Sequence, residues 1–173
     1  MKFIKYLFVA VCLFIGTQAN SYAQTKIGHL NSLDLLNSMP EWKAAETQYQ
    51  TYLEQLSNML KSKDEELIKE ATSVEQLWKE GKLSQLDYQA KMMTLQEKDK
   101  KLAEEKAAAE QNVAKKEEEL TKPIKDRVTQ AISDVATEKG YTYVLDSGAA
   151  LGLLFVSPSE DITAFVKAKL NLR

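Results

Sequence analysis

Between Pro40 and Gly81 the chain runs forty residues without a proline or a glycine, and this stretch limits what it can become. At a rise of 1.5 Å per residue, a helix of that length is a rod of about 60 Å. Ser38-Met39-Pro40-Glu41 supplies a start signal, read as a capping box with proline in the first turn, where its missing N–H costs little. Lys79-Glu80-Gly81-Lys82 supplies a stop, because glycine takes the left-handed conformation that ends helices. Ser84-Gln85-Leu86-Asp87 opens the next helix, with Ser84 as N-cap and Asp87 at the positive helix end. A connection this short forces the two helices to run antiparallel, with residues 81–83 as the tip.

The return helix is predicted from Gln85 to Lys139. Pro123 interrupts it and removes one backbone hydrogen bond. A kink is expected rather than a break, because Ile124, Val128, Ala131, Ile132 and Val135 continue the helical spacing beyond it. Gly140 ends the helix, and Tyr141 is placed to fold back on Ala136.

The hairpin is polar for its length. Residues 41–122 carry 14 lysines and 18 acidic residues. Leu53, Leu60, Leu67 and Val74 recur every seven residues, the spacing of a coiled-coil seam. On the return the apolar positions are Tyr88, Met92, Leu95, Leu102, Ala109, Val113 and Leu120. Lys63, Glu70, Asp99 and Lys106 fall where further apolar residues are expected. Two helices can zip along such a seam, but no thick bundle can form. Five acid-to-lysine pairs at i,i+4 are expected to support the arms: Glu65–Lys69, Glu75–Lys79, Asp87–Lys91, Glu97–Lys101 and Glu118–Lys122. Met39, Tyr49, Tyr52, Met59, Trp78, Met92 and Met93 exceed what the seam requires. Flexible, polarizable methionines and aromatic side chains suit a surface that accepts varied apolar partners, although most of them could equally fill the seam.

The ends of the chain read differently. Ile27 to Leu30 is a short strand, followed by a helical turn through Leu35 and Leu36. Tyr141 to Asp146 and Leu151 to Val156 are two further strands, joined by Ser147-Gly148-Ala149-Ala150. Ser157-Pro158-Ser159-Glu160 is read as a second capping box, opening a last helix with Ile162, Phe165, Val166 and Leu170 on one face. A lone strand and one hairpin make no stable sheet in water, and their apolar edges invite pairing. Association of several copies around Ile27, Leu30, Tyr143, Val144, Leu145, Leu154, Phe155 and Val156 is the simplest solution. The fold class is therefore α+β and mainly α: a long antiparallel helical hairpin on a small β body shared between subunits.

Residues 1–23 read as a signal peptide. Lys2 and Lys5 form the positive region, Tyr6 to Ile15 the apolar run, and Ser21-Tyr22-Ala23 the cleavage site. The run is too short to span a bilayer. The only cysteine, Cys12, follows Val11, where a lipoprotein signal requires a small residue. Cleavage after Ala23 would place the protein in the periplasm with Gln24 at its N-terminus, with no cysteine, no transmembrane segment and a net charge of −4. That acidity argues against nucleic acid, which needs a basic stripe. The remaining segments are 24–38, the first part of the body; 39–122, the arm; and 123–173, the rest of the body.

Catalytic chemistry has little support. His29, the single histidine, lies in a predicted strand and reads as structural. No close metal-ligand pattern, phosphate loop or nucleophile elbow occurs, so no metal, no cofactor and no enzyme activity are expected.

Gly140-Tyr141-Thr142-Tyr143-Val144-Leu145-Asp146 and Leu154-Phe155-Val156-Ser157-Pro158-Ser159-Glu160-Asp161-Ile162-Thr163 resemble the ending of the Skp/OmpH family. The opening strand Lys26-Ile27-Gly28-His29-Leu30-Asn31 and the charged hairpin are similar too. The resemblance covers the order of elements, while the sequence motif is confined to the two ends. It implies a homotrimer with three helical tentacles around a cavity. Unfolded outer-membrane proteins would be held there without ATP. The best-known member is strongly basic and attracts lipopolysaccharide. These arms are slightly acidic, which speaks against lipopolysaccharide and shifts client holding toward apolar contact at Tyr49, Tyr52, Met59, Trp78, Met92 and Met93. The competing reading is a non-enzymatic adaptor whose hairpin docks on one fixed envelope partner, although the tip Gly81-Lys82-Leu83 offers little beyond a turn.

Overall fold

A computed structural model describes residues 25–148, 153 and 155–172. The expected signal peptide lies outside the described residues. Strand β1 spans Ile27–Leu30, and helix α1 spans Ser32–Asn37. The arm is α2, Pro40–Lys79, and α3, Gln85–Lys139, of 40 and 55 residues. Strand β2, Tyr143–Asp146, a 3₁₀ turn at Pro158–Glu160 and helix α4, Thr163–Lys169, complete the order.

The helix boundaries follow their local chemistry. Gly81 and Gly140 take the left-handed φ of +69° and +70° that side chains resist. The Lys82 N–H reaches the Leu77 carbonyl at 2.9 Å, and the Tyr141 N–H reaches that of Ala136 at 2.8 Å. Both are the bonds of a Schellman ending. Ser84 caps α3 by accepting from the Asp87 N–H at 3.1 Å. α3 continues as helix through Pro123.

Both expected capping boxes are corrected. Ser38 has helical angles and donates its hydroxyl to the Leu35 carbonyl at 2.6 Å, so it closes α1. Pro40 forces the residue before it into extended geometry, so Met39 becomes the cap of α2. Glu41 instead meets Arg127 at 2.5 Å. Likewise Ser157 makes no cap bond and faces the Ser159 hydroxyl at 2.8 Å. Asp161 is drawn out of helical geometry by a bridge to His29, and its carboxylate accepts from the Thr163 N–H at 2.8 Å.

The sheet also differs from expectation. β1 and β2 pair in parallel, with Ile27 opposite Tyr143 and Leu30 opposite Asp146. An antiparallel hairpin carries both ends of its chain to one end of the arm, which brings these distant segments together. On the other edge of β1, the Ile162 N–H donates to the His29 carbonyl at 2.9 Å. Of the expected strand 151–156, residues 153, 155 and 156 are described and none is in a strand. The remainder, Leu154 included, lies outside the described residues.

One apolar core fills the body. Leu30, Leu35 and Met39 enter from the N-terminal side, Val128, Ala131 and Val135 from the end of α3, and Ile162, Val166 and Leu170 from around α4. Met39 is fully buried here, so it is not part of the surplus surface expected from the sequence. The Asp146 carboxylate joins the end of β2 to the start of α1. It accepts from the Ser32 N–H at 3.0 Å, from the Ser32 hydroxyl, and from the Gly148 N–H at 2.9 Å.

Candidate functional site

The arm is held by a thin seam. Ala45, Val74, Leu95, Leu102 and Ala109 are buried between α2 and α3. Leu53, Leu56, Leu60, Leu67, Leu77, Tyr88, Met92, Val113 and Leu120 are half-buried, as the seven-residue spacing predicts. At the tip, Trp78 stacks on Tyr88 with ring centroids 4.6 Å apart.

The gaps in the seam are spanned by charge. Lys63 meets Glu105 at 2.5 Å, Glu70 meets Lys98 at 2.5 Å, and Asp64 meets Lys106 at 2.9 Å. The first two pairs border a shallow cleft of ≈ 190 Å³ beside Leu67 and Leu102. Lys63 holds the Glu105 carboxyl below its ordinary range, and this outweighs the upward push of desolvation. Of the five expected i,i+4 pairs, Glu75–Lys79 closes at 2.9 Å. Lys122 turns to Asp126 instead, also at 2.9 Å, and Glu65 faces Lys61 at 4.0 Å. Exposed pairs are worth only tenths of a kcal/mol, so neighbouring geometry decides between partners.

The structure divides the sequence-derived contact residues. Met59, Trp78 and Met93 are exposed, while Tyr49, Tyr52 and Met92 are half-buried along the seam. Sequence reading passed over Ile68, 61% exposed, and Leu86, 76% exposed. Both lie off the heptad seam. The only available signal was a large apolar side chain at a position that the seam does not use.

The body residues divide as well. Leu30 is buried and Val144 packs on the same core. Leu145 and Val156 are half-buried, whereas Ile27, Tyr143 and Phe155 are exposed, Phe155 by 83%. Ile27 and Tyr143 are register partners, so their side chains form one exposed apolar row across the two strands.

His29 is buried, and its Nε2–H donates to the Ser157 carbonyl at 2.8 Å. A carbonyl can only accept, so this bond places the proton on Nε2. The ring thus ties β1 to the turn before α4, as a structural histidine does. Lys26 lies 4.0 Å from the Tyr141 ring centroid and donates to the Lys139 carbonyl at 3.0 Å, tying the chain start to the end of α3. Burial pushes the Tyr141 phenol up, and the neighbouring Glu160 charge adds to the rise.

Among the described residues no helix is long and apolar enough to cross a membrane. The described residues thus form a two-helix arm on a small mixed body, with apolar groups left exposed on both.

Residues 26–170 match the family described as outer membrane protein (OmpH-like), and the chain belongs to that family. A Skp-like protein of Pseudomonas aeruginosa is 27% identical over 177 residues, covering 98% of this chain and 97% of that one. A solved structure of an OmpH-like protein from Caulobacter crescentus shares the fold with a TM-score of 0.70. It is 19% identical, and the match covers 84% of this chain and 83% of that one.

Proposed function

We propose that this protein is an ATP-independent holdase chaperone of the periplasm, exported with cleavage after Ala23. It binds unfolded outer-membrane proteins between helical arms and prevents their aggregation. The observation that carries this reading is an arm of about 60 Å whose seam is too thin to close into a bundle. It leaves Met59, Trp78 and Met93 on the surface, where flexible apolar groups can meet many partners. Tyr49, Tyr52 and Met92 complete the client-contact set. Membership of the OmpH-like family supports the same role.

The arms need to be held around a shared cavity, and the body is suited to that. A two-stranded sheet is marginal alone, and the exposed Ile27, Tyr143 and Phe155 offer apolar surface to sister copies. Leu30 and Val144 pack on the core behind it, and Leu145, Leu154 and Val156 complete the proposed body set. The assembly proposed is a homotrimer. The arm carries 18 acidic residues against 14 lysines, so lipopolysaccharide and nucleic acid are not ligands in this reading, and no catalytic step is involved.

The test is to dilute an outer-membrane β-barrel protein out of urea into the purified mature chain and follow turbidity. Suppression near one trimer per client, with a sedimentation mass of three chains, is expected. A stable monomer, or no suppression together with tight capture of one envelope protein, would defeat the reading in favour of an adaptor.

A further inference from the structure

The chain's single cysteine, Cys12, lies in the expected signal peptide. Once that segment is removed as proposed, the only sulfur left is that of Met39, Met59, Met92 and Met93. Sulfur redox chemistry then falls to thioethers rather than thiols. The fold treats these four differently. Met39 is 0% exposed and belongs to the body core with Leu35 and Val128. Met92 is half-buried along the seam. Met59 and Met93 are 46% and 64% exposed. The seven-residue repeat accounts for the difference. With Leu60 at a and Leu95 at d, Met92 falls at a, whereas Met59 falls at g and Met93 at b, both off the seam. The exposed large apolar side chains of the arm are Met59, Ile68, Trp78, Leu86 and Met93. Two of these five are thioethers, so their oxidation alters much of the apolar surface that the arm presents.

We propose that Met59 and Met93 are reversible oxidation sites, and that their sulfoxides switch off client holding by the arm. This rests on the holdase reading and adds a regulation to it. The oxidant is a peroxide. With hydrogen peroxide, the thioether sulfur takes one oxygen, the O–O bond breaks and water leaves, so sulfur is oxidised and the peroxide reduced. A thiol-dependent methionine sulfoxide reductase runs the return step, in which two thiols close to a disulfide and the oxygen leaves as water. The sulfoxide is polar and chiral where the thioether was apolar and pliable. At positions g and b its oxygen stays in water, so the helices keep their packing. Against an apolar client segment the same oxygen loses water and gains no donor, which opposes binding. A sulfoxide at Met39 would carry that penalty inside the core, but the packing that would suffer also keeps peroxide away from the sulfur. Burial thus separates the two outcomes: the sulfurs that react first are those whose oxidation spares the fold.

Treating the purified mature chain with hydrogen peroxide and reading its peptides by mass spectrometry tests the sites. Met59 and Met93 are expected to gain oxygen several-fold faster than Met92, and Met39 only in denaturant. Oxidation of Met39 in the folded chain as fast as that of Met93 overturns the assignment. Capture of a urea-diluted outer-membrane β-barrel protein tests the consequence. The oxidised chain is expected to keep its helical signal and to hold client about tenfold more weakly. Methionine sulfoxide reductase with dithiothreitol is expected to restore capture. Met59→Leu with Met93→Leu keeps two apolar groups that peroxide does not alter, so its capture is expected to be the same before and after treatment. Equal capture by oxidised and untreated wild type, or an equal loss in the double variant, overturns the switch and leaves the holdase reading intact. An untreated wild-type chain that captures no client overturns both.

Discussion

Trp78 and Tyr88 lie on opposite strokes of the hairpin and stack with an interplanar angle of 24°. Leu83 lies between them in sequence, half-buried, and no other aromatic pair stacks among the described residues. The tip is thus fixed by one ring pair and the Gly81 ending. Tyr88→Ala is expected to cost about 1 kcal/mol and to speed amide exchange over residues 76–90. Exchange unchanged there would show that the turn alone fixes the tip.

The middle of the arm responds to salt. Its cross-helix ion pairs are Lys63–Glu105, Glu70–Lys98 and Asp64–Lys106, all partly exposed. Screening shortens from about 10 Å at 0.1 M salt to about 3 Å at 1 M. Amide exchange at residues 63–70 and 98–106 is expected to rise with salt, while that around the buried Val74 and Leu95 stays level. Lys63→Leu with Lys106→Leu fills two of the four gaps and is expected to add about 1 kcal/mol per site and to reduce the salt dependence to that of Glu70–Lys98. A melting temperature lower than wild type would refute this account of the gaps.

Asp146 is the cheapest place to loosen the body without making a cavity. Its carboxylate gathers bonds from Ser32 and Gly148. Asp146→Ala is expected to lower stability by about 2 kcal/mol in chemical denaturation, since bonds to a charged acceptor are the stronger kind. The arm's helical signal by circular dichroism is expected to stay unchanged at low denaturant.

Asp161 gives the body a pH dependence. Burial pushes its carboxyl up, but hydrogen bonds from the Thr163 hydroxyl and N–H, with the charges of His29 and Lys167, bring it below the ordinary value. A carboxyl lowered by folding contributes stability that is present above its unfolded pKa of about 3.9 and lost as pH falls through its folded value. Asp161→Asn is therefore expected to flatten the acid limb of the melting-temperature profile below about pH 4. An acid limb identical to wild type would contradict that role.

Much of this fold was legible because its long elements obey local rules. Forty residues without a breaker, glycines at 81 and 140, and Ser84 ahead of Asp87 set the arm, and the seven-residue repeat chose its buried side. The mainly α hairpin fold and the family resemblance agree with the structure and with the match over residues 26–170. What stayed hidden depends on contacts between distant residues. The partner of β2 is β1, more than a hundred positions away, and nothing local at Tyr143 or Val144 announces it. Ser38 and Ser157 carry cap-like patterns, but Pro40 and the His29–Asp161 bridge set the backbone angles that decide. In the arm, the heptad located Leu67 and Leu102. The exposed Ile68 and Leu86 became candidates only once the geometry of the second helix was known.

The parallel register of Ile27 with Tyr143 has a consequence for how the chain matures. A strand near residue 27 waits for one near residue 143, so the sheet cannot be assembled until most of the chain has been made. Zipping of the rods draws the two segments to the same place and turns a costly encounter across the whole chain into a short-range one. The body is therefore the last part to set. A chain truncated after residue 139 would have rods but nothing to gather them.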